Sequence, residues 1–363
     1  MTALLMTGFP GFLGSALLPK ILARRPKAHA FCLVQEHWAP LAAERVAEIE
    51  AAHPHTQGRI SLVEGDITVP GLGIEYVDRG RLADVTEVWH LAAVYDLSVP
   101  EGVARRVNVE GTAHVVEFCL ARKTFHRLQY VSTCYVSGDY VGEFPEDDLD
   151  LGQGFLNHYE STKFEAEVLV RRAMRAGLPA TIYRPGIVVG DSRTGETQKY
   201  DGPYMVATYL QRLPAVSLVP KVSDFGKVRV GLVPRDYVID GMDALSVMDG
   251  SEGKTYALTD PNPPTAEEVL RLMAGYFKRR AIEVPLPLGL TKAIVDRTPG
   301  LEPVTGLTAE LLDYFASPTT YSTKNAVADL EGTGVQCPRF ASYAERLLDY
   351  MVSHPEHSSQ AMT

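Results

Sequence analysis

Tyr159 and Lys163 stand four residues apart in Asn157-His158-Tyr159-Glu160-Ser161-Thr162-Lys163. On a helix that spacing puts both side chains on one face. A phenol beside an ammonium is acid/base chemistry. A free tyrosine, near pKa 10, carries protons poorly at neutral pH. A neighbouring cation favours its ionised form and makes it more useful. Near the N-terminus, Thr7-Gly8-Phe9-Pro10-Gly11-Phe12-Leu13-Gly14 follows a short apolar run. Gly8 permits a tight turn, Gly11 lets backbone approach a pyrophosphate, and Gly14 allows close helix–strand packing. Phe12 and Leu13 complete this cofactor-binding turn at a helix N-terminus. Together the two motifs describe hydride chemistry on a nicotinamide dinucleotide, with a tyrosine as proton carrier.

Other candidates fall at the ends of apolar runs. Ser132 and Thr133 both carry hydroxyls that would bond a substrate oxygen. Cys134 follows them, but no His/Asp constellation makes it a nucleophile. Asp66, followed by Ile67, would accept from an adenine amino group. Leu91, Ala92 and Ala93 would let the backbone pass close to the cofactor, and His90 before them reads as a packed histidine. The second apolar run ends Leu33-Val34-Gln35-Glu36-His37. An acidic residue there would bind ribose hydroxyls and an arginine a 2′-phosphate. Gln35 is neutral and Glu36 comes one place later, so either dinucleotide is allowed.

These residues need a scaffold. Strands are expected at Ala3–Thr7, Ala30–Val34, Ile60–Val63, Glu87–Leu91, Arg127–Ser132 and Ala180–Tyr183. Helices are expected between them at Phe12–Arg24, Pro40–Ala52, Val103–Ala121 and Tyr159–Arg175. Such alternation implies an α/β fold with a doubly wound parallel sheet of the Rossmann kind. A smaller, mainly helical substrate-binding region should follow. Residues 1–190, with returning segments at about 228–260, are read as the dinucleotide-binding core. Residues 191–227 and 261–352 are read as the substrate region and 353–363 as a flexible tail. Within these, Gly202–Leu213, Thr265–Lys278, Leu288–Val295, Thr308–Phe315 and Phe340–Val352 read as helices. Pro214–Gly226 reads as a loop, and Val228–Val233 and Lys254–Leu258 as strands.

The 363 residues are 45% hydrophobic and 22% charged, with a net charge of −10. That balance argues against nucleic acid as a partner, since phosphate backbones need clustered cations. Cysteines 32, 119, 134 and 337 have no metal-ligand spacing and suit a reduced compartment. No apolar run reads as a membrane span, and no metal is expected. The expectation is a soluble, cytoplasmic protein with a small-molecule substrate.

The chain resembles the extended short-chain dehydrogenase/reductase superfamily over about residues 1–350. The resemblance is carried by the glycine turn, Gly65-Asp66-Ile67, His90-Leu91-Ala92-Ala93, Asn108-Val109-Glu110-Gly111-Thr112, Ser132–Val136, Tyr159 with Lys163, and Arg184-Pro185-Gly186. It implies that Thr133 takes the catalytic hydroxyl position, that Lys163 also binds ribose, and that Pro185 and Val188 line the nicotinamide. Within that superfamily the chain looks like the fatty acyl-CoA reductase, or thioester-reductase-like, branch of male-sterility-type NAD-binding proteins. The pieces are the Phe12-Leu13-Gly14 ending, Arg184–Glu196, Asp201-Gly202-Pro203-Tyr204 and Val233–Val238. The branch implies reduction of an acyl thioester or its aldehyde, the acyl group arriving on free CoA or on a separate acyl-carrier protein. It also implies a slight preference for NADP(H) over NAD(H), although Gln35 stands where an arginine is usual. The same machinery serves ketone or sterol-like alcohol dehydrogenases and nucleotide-sugar epimerases or dehydratases. A dinucleotide sensor would be expected to have lost Tyr159 or Lys163.

Overall fold

The computed structural model describes residues 2–95, 99–221, 224–287, 289–292 and 317–356. The strands are β1 (Thr2–Thr7), β2 (Ala28–Val34), β3 (Ile60–Glu64), β4 (Val85–His90), β5 (Arg127–Val131), β6 (Gly142–Phe144) and β7 (Ala180–Pro185). They continue as β8 (Ile187–Val189), β9 (Val216–Lys221), β10 (Leu232–Pro234), β11 (Thr255–Leu258), β12 (Arg280–Pro285) and β13 (Thr319–Tyr321). The helices used below are α1 (Phe12–Arg24), α2 (Ala39–Ala52), α3 (Tyr76–Arg79), α4 (Glu101–Ala104), α5 (Gly111–Leu120), α6 (His158–Arg175), α7 (Pro203–Arg212), α8 (Arg235–Ser246) and α9 (Ala266–Tyr276). Two more, α10 (Lys324–Leu330) and α11 (Ala344–Ser353), lie near the C-terminus.

Seven parallel strands form one sheet in the order β11-β7-β5-β4-β1-β2-β3. Alternating side chains feed two cores. On one face, Leu4, Met6, Cys32 and Val34 pack with Leu17, Leu18 and Met242 of α1 and α8. On the other, Leu5, Phe31, Leu33 and Leu128 pack with Val115 and Val170 of α5 and α6. Both faces are covered, so these strands read as near-continuous apolar runs rather than as alternation. Strand order reverses between β1 and β4. That is the switch point where such sheets leave a crevice at their carboxyl edge.

A third core, including Val189, Tyr204, Leu210, Val230, Val269, Phe340 and Leu347, gathers the segments that leave the sheet. There the structure corrects the sequence reading. Residues 214–226, expected as a loop, contain β9, which pairs in parallel with β12. The partner lies some sixty residues on, and no local pattern announces it. Two further short parallel pairs, β8 with β10 and β6 with β13, were not expected either. The strand expected over Val228–Val233 shortens to β10, because residues 228–230 bond instead to the segment ahead of α9, Ala266 N–H donating to Val228 O and Val230 N–H to Pro264 O. The helix expected over Val103–Ala121 is interrupted by a π-helical stretch, Arg105–Glu110. The cap at Thr265 is present as a full capping box with Glu268. Helices expected at Leu288–Val295 and Thr308–Phe315, and the tail beyond Glu356, fall largely or wholly outside the described residues.

Candidate active site

The glycine turn joins β1 to α1. Gly8 has φ +84°, and a Cβ there would lie 2.7 Å from the Ala92 nitrogen. A Cβ on Gly11 or Gly14 would meet the Gly8 carbonyl oxygen at 2.8 or 2.7 Å. The turn therefore tolerates only glycine at all three positions. Gly11 N–H donates to Gly8 O at 3.0 Å. The first-turn N–H groups of Phe12, Leu13 and Gly14 find no partner among the described residues. They form a cradle whose unsatisfied donors, at the positive end of a helix, suit a phosphate.

Leu91, Ala92 and Ala93 follow β4 beside this turn and are half-buried. A buried chain of hydrogen bonds holds the two strand ends together. Thr112 Oγ1 donates to Asn108 O at 2.6 Å, so it accepts from His90 Nε2 at 3.0 Å. His90 Nδ1 then accepts from Thr7 Oγ1 at 2.7 Å, and Thr7 Oγ1 accepts from Ala92 N–H at 3.2 Å. Burial, with the charge of Lys163, lowers the His90 pKa to about 3 and keeps the ring neutral. His90 is a structural link.

At the other side of the crevice Gln35 Nε2 donates to Asp66 Oδ2 at 2.8 Å. Asp66 Oδ1 also accepts from Thr68 N–H at 2.7 Å. Burial alone would raise the Asp66 pKa, but these hydrogen bonds hold it below the usual range. Glu36 is exposed at the start of a short 3-10 turn. The Ile67 side chain is buried in the second core, and a Cβ on Gly111 would lie 2.8 Å from it. Its carbonyl is bound to His114 Nδ1 at 2.7 Å.

Beyond β5, α6 begins at His158 because Asn157 caps it, accepting from Glu160 N–H at 3.0 Å. Tyr159 thus occupies the first turn, half-buried, and faces Thr133 at the end of β5. Burial pushes the Tyr159 pKa up to about 12, and the nearby Thr133 hydroxyl, whose oxygen accepts from Tyr135 N–H at 3.2 Å, is the chief opposing effect. Lys163 is 2% exposed. Its ammonium donates to Val131 O at 2.8 Å and to Tyr130 Oη at 3.2 Å. Burial draws its pKa down to about 8, against the attraction of Glu167. In this arrangement Lys163 is engaged with β5, and Tyr159 stays protonated at neutral pH.

The two candidate hydroxyls face different ways. Ser132 Oγ donates to Glu167 Oε2 at 2.6 Å, inside a buried ionic cluster. Glu167 also receives Arg184 Nη2 at 2.6 Å, Arg184 Nε at 3.1 Å and Arg171 Nε at 2.8 Å. Cys134 donates to Arg184 O at 3.1 Å, and burial raises its thiol pKa well above the ordinary value. Pro185 is buried at the end of β7, and Val188 is half-buried in β8.

Two positioning groups were not singled out by residue type. Asn108, in the π-helical stretch, accepts from Val94 N–H and donates to both Val94 O and Thr162 Oγ1. It ties the loop after β4 to α6, one residue from Lys163. Arg184 donates to the carbonyls of Pro145, Glu146 and Asp148, fixing that loop to β7. Asn108 and Arg184 were legible only as letters of longer motifs. A cleft of about 630 Å³, bordered by Gly231, Asp260, Tyr321 and Arg339, opens on the C-terminal side. Tyr321 reaches from it to Ser137, Oη to Oγ 3.4 Å.

Residues 6–242 match the model of the male sterility protein family, an NAD-binding domain. The chain belongs to this family. The match bears out the resemblance to the male-sterility-type branch of the extended short-chain dehydrogenase/reductase superfamily. Family relatives include the non-canonical nonribosomal peptide synthetase cpsA of Aspergillus campestris, 26% identical over 359 residues, or 90% of this chain and 33% of that protein. Aldehyde reductase lnbA of Aspergillus flavus is 26% identical over 325 residues, or 84% of this chain and 31% of that protein. The chain spans about a third or less of the length of the curated relatives it matches. Among solved structures, the terminal R domain of the myxalamid PKS-NRPS pathway superposes with a TM-score of 0.83 at 28% identity, covering 98% of this chain and 91% of that one. UDP-glucuronic acid 4-epimerase from Bacillus cereus, with NAD, gives a TM-score of 0.67 at 18% identity and shares the fold alone. Among the described residues no helix is long and apolar enough to cross a membrane.

Proposed function

We propose that this protein reduces an acyl thioester, or the aldehyde derived from it, with NAD(P)H. The observation that carries the reading is the Thr133–Tyr159 pair at the carboxyl end of β5, on the edge that also holds the glycine cradle. The choice of carbonyl is supported by the relatives, which are named as a nonribosomal peptide synthetase and an aldehyde reductase.

The dinucleotide, when bound, supplies hydride. The N–H groups of Phe12, Leu13 and Gly14 hold its phosphates, and Gln35 and Asp66 meet the adenosine end. Lys163 binds the nicotinamide ribose, with Pro185 and Val188 against the ring. Thr133 and Tyr159 bond the substrate oxygen, and their donors stabilise the charge that develops there. At a thioester they hold the tetrahedral oxyanion until the thiolate leaves. At an aldehyde Tyr159, which its raised pKa keeps protonated, gives up its proton. The acyl group comes on CoA or on a carrier protein, and NADPH is modestly preferred.

The test is an activity screen of acyl-CoAs, acyl-pantetheine thioesters, aldehydes and ketones with NADPH and NADH, with the products identified. Thioester-dependent oxidation of reduced cofactor is expected. Turnover of ketones alone would overturn the thioester reading. In Tyr159→Phe, which keeps the ring, turnover should fall by at least about a hundredfold, the low end for loss of an acid/base group. Its dinucleotide Kd should not change.

A further inference from the structure

α8 lies beside α1 and runs in the same direction. Three contacts set the register. The Arg235 guanidinium carbon lies 4.9 Å from the centre of the Phe12 ring. Lys20 Nζ meets Asp240 Oδ1 at 2.5 Å, and Arg24 Nη2 meets Asp243 Oδ2 at 2.7 Å. Each contact is a step further along both helices, so the two N-termini sit side by side at the carboxyl edge of the sheet. Phe12 and Arg235 are the first residues of their helices. Phe12 belongs to the glycine cradle. Arg235 therefore brings a full positive charge to a turn that otherwise offers only backbone donors.

The side chain of Arg235 is 9% exposed, and its Nε has no hydrogen-bond partner. A guanidinium buried this far is normally bonded through all its donors. Its remaining contacts are loose. Nη2 lies 3.3 Å from Glu196 Oε2 and 3.9 Å from Asp191 Oδ2, and Nη1 lies 3.5 Å from Glu196 Oε1. The Glu196 carboxylate is itself 49% exposed, so water screens its attraction. Two helix N-termini and a guanidinium here face the carboxylates of Asp191, Glu196 and Asp236. Asp236 is taken up by Ser192, and the Arg235 Nε remains a free donor for an anionic ligand.

We propose that Arg235 is a ligand of the cofactor's pyrophosphate, acting with the N–H groups of Phe12, Leu13 and Gly14. The assignment does not depend on which carbonyl the protein reduces. It gives the dinucleotide a charged anchor that both NADPH and NADH share, distinct from the residue-35 position where the two cofactors differ.

The test is calorimetric titration of the full chain, wild type and Arg235→Gln, with NADPH and NADH. Adenosine 2′-monophosphate, which lacks the pyrophosphate, is measured by its displacement of NADPH. Both dinucleotides should bind about tenfold or more weaker to Arg235→Gln, equivalent to about 1.4 kcal/mol. Adenosine 2′-monophosphate should keep its affinity. Unchanged dinucleotide binding would overturn the proposal. So would an equal loss for adenosine 2′-monophosphate, which would make Arg235 a support of the fold, or a loss confined to one dinucleotide. If Arg235→Gln does not fold, Arg235→Met, which keeps an apolar stem over the Phe12 ring without the charge, decides by the same outcomes.

Discussion

Thr133 and Ser132 are adjacent hydroxyls with opposite surroundings. Thr133 stands beside Tyr159 in the crevice, and Ser132 bonds Glu167 in the interior. Thr133→Val should therefore lower turnover sharply, with a stability cost of about 0.5–2 kcal/mol for the lost cap on Tyr135 N–H. Ser132→Ala should leave turnover nearly unchanged and cost about 1–3 kcal/mol in denaturant unfolding, the penalty for a lost buried hydrogen bond. The opposite pattern in the two assays would place the active hydroxyl one residue earlier. Lys163 makes a prediction about pH. With a pKa near 8 it loses its charge well below the range of a free lysine. Affinity for the dinucleotide should then fall as pH rises through about 8, while Tyr159 remains protonated to about 12. A Kd flat from pH 7 to pH 10 would show that the Lys163 charge does not serve the cofactor.

α6 is held to the sheet by charge as well as by its apolar face. Glu167 lies one turn beyond Lys163 and receives Arg184 from β7 and Arg171 from its own helix. Burial alone would raise the Glu167 pKa, but the two arginines bring it down to about 2. Glu167→Gln leaves Arg184 buried without its full counter-charge and should cost about 3–5 kcal/mol, the range for breaking a buried pair. Because the folded pKa lies below that of the unfolded chain, the stability from Glu167 is present above about pH 4.5 and is lost as pH falls towards 2. The acid limb of the wild-type stability curve should thus be steeper than that of Glu167→Gln. Equal slopes would mean that Glu167 does not carry the charge assigned to it.

Across the whole molecule, the C-terminal segment is part of the fold. β13 pairs with β6, and α10 packs Ala326 and Leu330 into the first core. Glu146, in the loop held by Arg184, accepts the N–H groups of Ala257, Asn325 and Ala326 and so anchors α10 beside β11. α11 places Leu347, Leu348 and Met351 in the third core. A chain ending before Thr319 would expose these apolar surfaces and leave Glu146 buried without two of its three donors. It should give insoluble or non-cooperatively melting protein by differential scanning calorimetry. A cooperative transition at the wild-type temperature would show that residues 1–318 fold independently.

The sequence by itself determined what short-range chemistry encodes. Three glycines at fixed spacing specify a turn whose own carbonyl excludes a Cβ. A Tyr and a Lys one helical turn apart share a face, and apolar runs between amphipathic ones make a two-sided sheet. Each of these depends on residues within one or two turns of each other, so spacing is enough. Only the tertiary structure decided the rest. That Ser132 faces Glu167 and Thr133 faces Tyr159 depends on where α6 and β7 lie, not on the order Ser-Thr. The engagement of Lys163 with Val131, rather than its assistance to Tyr159, follows from the depth at which α6 packs on β5. β9 found its partner only in β12, across a separation that local propensity does not span. Arg235 came to the glycine turn because two helices more than two hundred residues apart pack in parallel with their first residues in register. Contacts of that kind are set by how the cores close, and no window of sequence contains both partners.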